Sequence, residues 1–331
     1  MKRILLIISI SLTTLFNCFA QLNQPGSEKK AAENIMKLLG LKPGNKLVVV
    51  TSASRTKVTD CLKAASQQDY ITFIHFTPDS GQDSLKLLLS LTGEESDSIF
   101  FVFLMDPTDA AFLFQFAGRP DLGLKIPEEK LFCNWLISEE QLIRITSADL
   151  EEHYNYQKKL SASLNTSDTI LIETAAGTHI RFIARNWVID QGEIFCTPIE
   201  DKTNGVIVVD GCAYWGPPVN PVHLEIVNGR IANIDSLSES DKQEQWIKKD
   251  LTADENSSIL AEVGIGTNKN ARWNSDLMES EQARGTCHFG FGMNLNYGGK
   301  IKSKKHFDLV ILNPTIIVNQ KLICADGILV E

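Results

Sequence analysis

Between Ser147 and Thr169 the hydrophobic texture of this chain changes, and the change separates two kinds of fold. Before it, short continuous apolar runs alternate with segments of helical spacing. Ala31 to Leu41 carries apolar residues at helical intervals, and Lys42-Pro43-Gly44 supplies the stop. Lys46 to Val50 is a β-branched run, Thr56 to Ser66 is helical, and Ile71 to Phe76 and Ile99 to Met105 are further apolar strands, with a helical segment, Asp83 to Leu91, between them. Unbroken apolar strands are buried on both faces, and helices between them supply the cover, so a mainly parallel sheet is expected. The turn Ser52-Ala53-Ser54 lacks the GxGxxG spacing of a dinucleotide site, so this half reads as a scaffold.

Ser147 to Ser163 is polar and helical and reads as the connection. Beyond it come short alternating runs (Ile170 to Thr174, His179 to Ala184, Val206 to Asp210, Leu224 to Val227) separated by Gly, Asn and Pro. Asn228-Gly229 between two apolar runs is a two-residue hairpin signal. The expected fold is an α/β N-terminal domain with a mainly parallel sheet, followed by an α+β domain rich in antiparallel strands that carries the metal site described below. A length of 331 residues suits two cores. The expected boundaries are 1–20, 21–150 and 151–331.

The first of these segments reads as a signal peptide. Lys2 and Arg3 precede an uncharged, mostly apolar run from Ile4 to Phe16, and small Ala20 precedes Gln21. The run is shorter than the ~20 residues that span a bilayer, so export after cleavage near Ala20 is expected, with no stable membrane span. Cleavage would take the formal net charge from -9 to about -11. An acidic chain without a basic stripe repels phosphate backbones, which excludes nucleic acid as a partner class. Cys61, Cys133, Cys196, Cys212, Cys287 and Cys324 are irregularly spaced with no CxxC pair, so neither a zinc ribbon nor a dense disulfide framework is indicated.

The chemistry concentrates late in the chain. Lys305-His306-Phe307-Asp308 runs into Leu309-Val310-Ile311-Leu312, at the start of a strand. Residues two apart on a strand share a face, so His306 and Asp308 project an imidazole and a carboxylate to one side. Such a pair suits a divalent metal, although an isolated HxD is equally served by a hydrogen bond between the two. His288 strengthens the metal reading. It opens a glycine-studded run, Phe289-Gly290-Phe291-Gly292-Met293-Asn294, of the kind that lets backbone approach closely at the rim of a site. Glu193 (in Gly192-Glu193-Ile194-Phe195) and Glu262 (in Ala261-Glu262-Val263-Gly264-Ile265-Gly266) are lone acids among apolar residues and glycines. A buried carboxylate there needs a cation or hydrogen bonds, and a backbone cap remains the competing role for each. His179 and His223 lack partners and read as structural.

These segments, taken in order with Asn313-Pro314-Thr315 and Asp326-Gly327, resemble the motifs of the aminopeptidase T/aminopeptidase S family of metallopeptidases, a family that also includes ring-opening dihydroxypyridine dioxygenases. The resemblance is specific over residues 170–331 and general before that. It implies a homodimer, and metal ligands at Glu193, Glu262, His288, His306 and Asp308. A tyrosine follows the first histidine in the aminopeptidases. Here Leu295 stands near that place and Tyr297 is displaced.

The resemblance implies a metal-dependent hydrolase that removes N-terminal residues from short peptides through a metal-activated water. Two cations, zinc, cobalt or manganese, would be held with Asp308 as the natural bridge, and with Glu193 or Glu262 acting as general base if one cation binds. The alternative is a mononuclear non-haem Fe(II) dioxygenase that opens a hydroxylated, pyridine-like ring with His288, His306 and Asp308 as ligands. A non-catalytic binding protein on the same fold is the third. The expected partner is a small peptide or small-molecule substrate.

Overall fold

The computed structural model describes residues 26–77, 90–91, 98–106, 128–135 and 138–330. Residues 1–20, expected to form a signal peptide, and most of the expected Asp83–Leu91 helix lie outside these residues. The chain divides into two compact units, Met1–Ser147 and Ala148–Glu331.

In the first unit, α1 (Ser27–Leu38), β1 (Lys46–Thr51), α2 (Thr56–Gln68), β2 (Thr72–Phe76), β3 (Ile99–Met105), β4 (Leu131–Trp135) and α3 (Glu139–Thr146) follow one another. Among the described residues the strands form a parallel sheet in the order β2-β1-β3-β4. The unbroken apolar runs of β1 and β3 supply its core, with Val48, Val50, Phe101, Phe103 and Met105 in one cluster. Helix α1 buries Ala31, Ala32, Ile35 and Met36, a stripe at helical spacing. Helix α3 begins at a capping box in which Ser138 and Gln141 satisfy each other's backbone N–H. The expected parallel α/β fold is present. Strand β4 escaped the sequence reading because it is five residues long and interrupted by Asn134.

The second unit opens with α4 (Leu150–Ser161) and is then dominated by strands: β5 (Thr169–Glu173), β6 (His179–Asp190), β7 (Glu193–Pro198), β8 (Asn204–Val209), β9 (Cys212–Ala213), β10 (Val222–Val227) and β11 (Arg230–Ile231). After α5 (Lys242–Leu251) come β12 (Leu260–Gly266), α6 (Leu277–Ser280), β13 (Thr286–Gly292), β14 (His306–Leu312), β15 (Thr315–Val318), β16 (Lys321–Ala325) and β17 (Ile328–Leu329). Among the described residues the main strand path is β17-β16-β15-β5-β6-β7-β12-β13-β14-β9, antiparallel at every step. Strand β6 is twelve residues long, pairs with β5 and β8 through its first half, and turns onto β7 after a bulge between Ala184 and Asn186. Asn228 and Gly229 make the expected hairpin turn, both at positive φ, between β10 and β11.

Period-two alternation explains how this unit carries both a core and a site. Ile194 and Cys196 of β7, Val263 and Ile265 of β12, Cys287, Phe289 and Phe291 of β13, and Phe307, Leu309 and Ile311 of β14 all point into one hydrophobic cluster. The residues between them face the other way. Truncating Phe289 or Phe291, both fully buried, to alanine would cost about 3–5 kcal/mol.

Candidate metal centre

All five residues singled out in the sequence lie on four adjacent strands and share the sheet face away from that cluster. Register brings them together. Glu193 on β7 pairs with Gly266 on β12, Gly264 with His288 on β13, Glu262 with Gly290, and Gly290 in turn with Asp308 on β14, while Gly292 pairs with His306. The glycines are therefore the floor of the centre and belong to strands, where the sequence had suggested a rim. A Cβ on Gly264 would stand 2.0 Å from the His288 ring. One on Gly290 would stand 2.7 Å from Asp308 Oδ1, 2.9 Å from Glu262 Cβ and 3.0 Å from His306 Cε1. The side chains of His288, Glu262, His306 and Asp308 lie down across space that any other residue at Gly264 and Gly290 would fill.

The carboxylate between the two histidines is that of Glu262. Its Oε1 lies 3.6 Å from His288 Nε2 and its Oε2 lies 3.4 Å from His306 Nε2. Glu193 Oε2 completes one half at 3.3 Å from His288 Nε2, and Asp308 Oδ1 the other at 3.4 Å from His306 Nε2. Asp308 was the bridge expected from sequence. In the structure its close imidazole partner is His306, and Glu262 spans the pair. The His306 Nδ1–H donates to the Met293 carbonyl at 2.7 Å, which fixes the tautomer and leaves Nε2 turned toward the carboxylates.

The electrostatics are those of anions packed without enough positive charge. Burial pushes the Glu193 carboxyl up to about 8, against the pull of His288 and with the push of Glu262. Burial opposes charge on His306, yet Asp308 and Glu262 raise it to about 9. His288 is likewise held well above its ordinary value, because Glu193, Glu262, Glu281 and Asp308 outweigh its desolvation. Asp308, despite burial, is drawn below the usual range by His306 and His288.

Several observations test whether a cation fits. Glu193 Oε2 and Asp308 Oδ1 are buried and accept no hydrogen bond, an arrangement that is costly unless a cation satisfies them. Glu193, Glu262 and His288 can each offer a ligand atom within 4.8 Å of the others. The 3.3–3.6 Å separations match the edge of a tetrahedron around an ion bonded at ~2.1 Å, which is about 3.4 Å. Two imidazoles and hard carboxylate oxygens suit zinc, manganese, cobalt or ferrous iron.

Two further residues join the site. Glu281 is buried, and its carboxyl is pushed well above the ordinary range by burial and by the charges of Asp308, Glu193 and Glu262. Its sequence setting, Ser280-Glu281-Gln282-Ala283-Arg284, reads as a solvated helix end and carries no signal of this. Tyr297, on a short turn ended by Gly298 at φ +85°, places its ring 5.3 Å from that of His306 and edge-on to Phe195 at 5.5 Å. Burial and the nearby carboxylates raise its hydroxyl to about 12. Leu295, at the place the family resemblance marked for a tyrosine, is half-exposed. His179, by contrast, meets Glu173 at the surface, away from these residues.

A family model described as NicX, 2,5-dihydroxypyridine 5,6-dioxygenase, matches residues 139–331, more than half of the chain. The chain belongs to this family. Among solved structures, it is similar to 2,5-dihydroxypyridine dioxygenase from Pseudomonas putida KT2440, with a TM-score of 0.67 and 16% identity over 92% of this chain and 96% of that one. It is also similar to AmpT from Thermus thermophilus, with a TM-score of 0.64 and 14% identity over 92% of this chain and 99% of that one. Both likenesses show the two-part fold. No curated protein sequence matches the chain. The family assignment thus brings the chain into the grouping of metalloenzymes that its motifs resemble, and the unit carrying the five residues lies wholly within the matched span.

Proposed function

We propose that this chain is a metal-dependent hydrolase that removes N-terminal residues from short peptides, working with two divalent cations that Glu193, Glu262, His288, His306 and Asp308 would hold. The observation that carries the reading is that the two oxygens of Glu262 address different imidazoles, each joined by its own second carboxylate. Charge supports it. Glu193, Glu262 and Asp308 crowd two imidazoles, and a single divalent cation leaves one of these three carboxylates uncompensated.

Bound there, the cations would lower the pKa of a water and polarise a peptide carbonyl. The chain's own groups do the rest. Glu193 with His288, and His306 with Asp308, hold the two halves, and Glu262 couples them. Met293 O keeps the His306 ring turned inward. Glu281 stands outside the ligand set and is the carboxyl left to hold a proton, while Tyr297 offers a hydroxyl that burial keeps protonated.

The family match favours a second reading, a ring-opening dioxygenase with one ferrous ion on His288, His306 and Asp308. One experiment separates the two. Protein purified without chelators is analysed for metal, then assayed for hydrolysis of aminoacyl amides and for oxygen uptake with hydroxylated pyridines. Two zinc, cobalt or manganese ions per chain with amide hydrolysis support the hydrolase. One iron with oxygen uptake contradicts it.

A further inference from the structure

Glu193 and His306 are held in place by different devices. The His306 ring is fixed directly, through its own hydrogen bond to Met293 O. Glu193 Oε2 accepts no hydrogen bond, so the position of that carboxylate depends on the backbone that carries it. Glu193 is the first residue of β7, and it pairs with Asp190 across the two-residue turn Gln191-Gly192. One side chain grips this turn from outside. Gln157, on α4 and only 5% exposed, directs Nε2 at Asp190 O (2.7 Å), Glu193 O (3.2 Å) and Thr267 Oγ1 (3.1 Å).

The geometry points to Gln157 as the positioning residue for Glu193, setting the Glu193–His288 half of the centre from outside its ligand set; the assignment rests on the two-cation reading above. An NH₂ group has two hydrogens, and here three acceptors share them, so the amide is committed to the hairpin and to the end of β12. Thr267 follows Gly266, the ladder partner of Glu193, and its own N–H donates to Gly192 O at 2.8 Å. The grip is doubled. Arg284 Nε donates to Thr267 O at 3.0 Å, and its guanidinium forks onto the Glu152 carboxylate at 2.9 and 3.3 Å. Glu152 and Gln157 belong to the same helix, so α4 holds the β6–β7 turn and the adjoining end of β12 at two points. A buried amide loses solvation and rotamer freedom on folding. Here that loss is offset by bonds that end on the backbone of a metal-ligand hairpin and on the strand beside it. Partners outside the ligand set are worth about 10–100-fold in metal affinity.

The test is a titration of stripped, full-length protein with Zn²⁺ or Co²⁺ alone, comparing the parent with Gln157→Met, which keeps the length and removes both donors. Circular dichroism monitors the fold. The expected result is one of two binding events weakened about 10–100-fold and the other unchanged. Two events at parental affinity, or two weakened alike, overturn the assignment. If Gln157→Met does not fold, Gln157→Asn, which keeps the neutral amide but draws it back from the three acceptors, carries the same comparison. A parent chain that takes up a single ion contradicts the two-cation reading itself, before any variant is made.

Discussion

Gly264 stands directly across the β12–β13 ladder from His288, and the imidazole occupies the space that a Cβ on Gly264 would need. The pair makes the centre intolerant of the smallest side chain. Gly264→Ala is expected to destabilise the protein by about 1–3 kcal/mol through overpacking, and to push His288 out of reach of Glu193. Thermal melting and metal analysis check both, and a variant that keeps two ions would mean that the ring has another place to lie.

The division of the centre into halves predicts unequal losses. Glu262→Gln removes the charge shared by both, so both ions are expected to be lost on gel filtration. His306→Ala removes one ligand of the His306–Asp308 half, and one ion per chain is expected to remain. Metal content after desalting distinguishes these from a single shared site, where both variants would lose everything.

Stripping the metal leaves the carboxylates of Glu193, Glu262 and Asp308 packed against two imidazoles at the centre. At a free-metal concentration of 100 times Kd, each of the two ions stabilises the folded chain by about 2.7 kcal/mol. Chelation is therefore expected to lower Tm by roughly 5–10 °C, with recovery on adding Zn²⁺ or Mn²⁺. Scanning calorimetry with and without chelator measures this.

Asp254 gives the centre an acid-sensitive edge. Its carboxylate accepts from Lys304 N, Asn256 N and Ser303 Oγ, and these bonds, that from Lys304 first, hold its pKa near about 2. A depressed carboxylate stabilises the fold above its ordinary value of 3.8, and that contribution fades as pH falls toward about 2. Asp254→Asn is expected to flatten this part of the acid-unfolding curve and to loosen residues 303–305, just ahead of His306, in hydrogen exchange.

Much of this was legible in the sequence, for identifiable reasons. The valine run of β1 and the Phe-rich β3 are strands because burial on both faces leaves no polar positions, and Asn228-Gly229 fits a turn that needs positive φ twice. The five candidate residues stood out because acids and histidines among glycines have few structural uses. What escaped depends on register and tertiary contact. That Glu262 spans the histidines follows from which residues face each other across β12, β13 and β14. Strand β6 extends six residues past the run legible in the sequence, His179 to Ala184, because β7 pairs with Asn186 to Asp190 beyond a bulge. Glu281 is polar among polar neighbours, and only the folded chain brings it inside.

The account stands on cations flanking one carboxylate. Crystals grown with Co²⁺ or Zn²⁺ and measured at the metal absorption edge should give two anomalous peaks, one beside each oxygen of Glu262, the first near Glu193 and His288 and the second near His306 and Asp308. A single peak ligated by His288, His306 and Asp308 together, with Glu262 on neither side of it, would contradict the account.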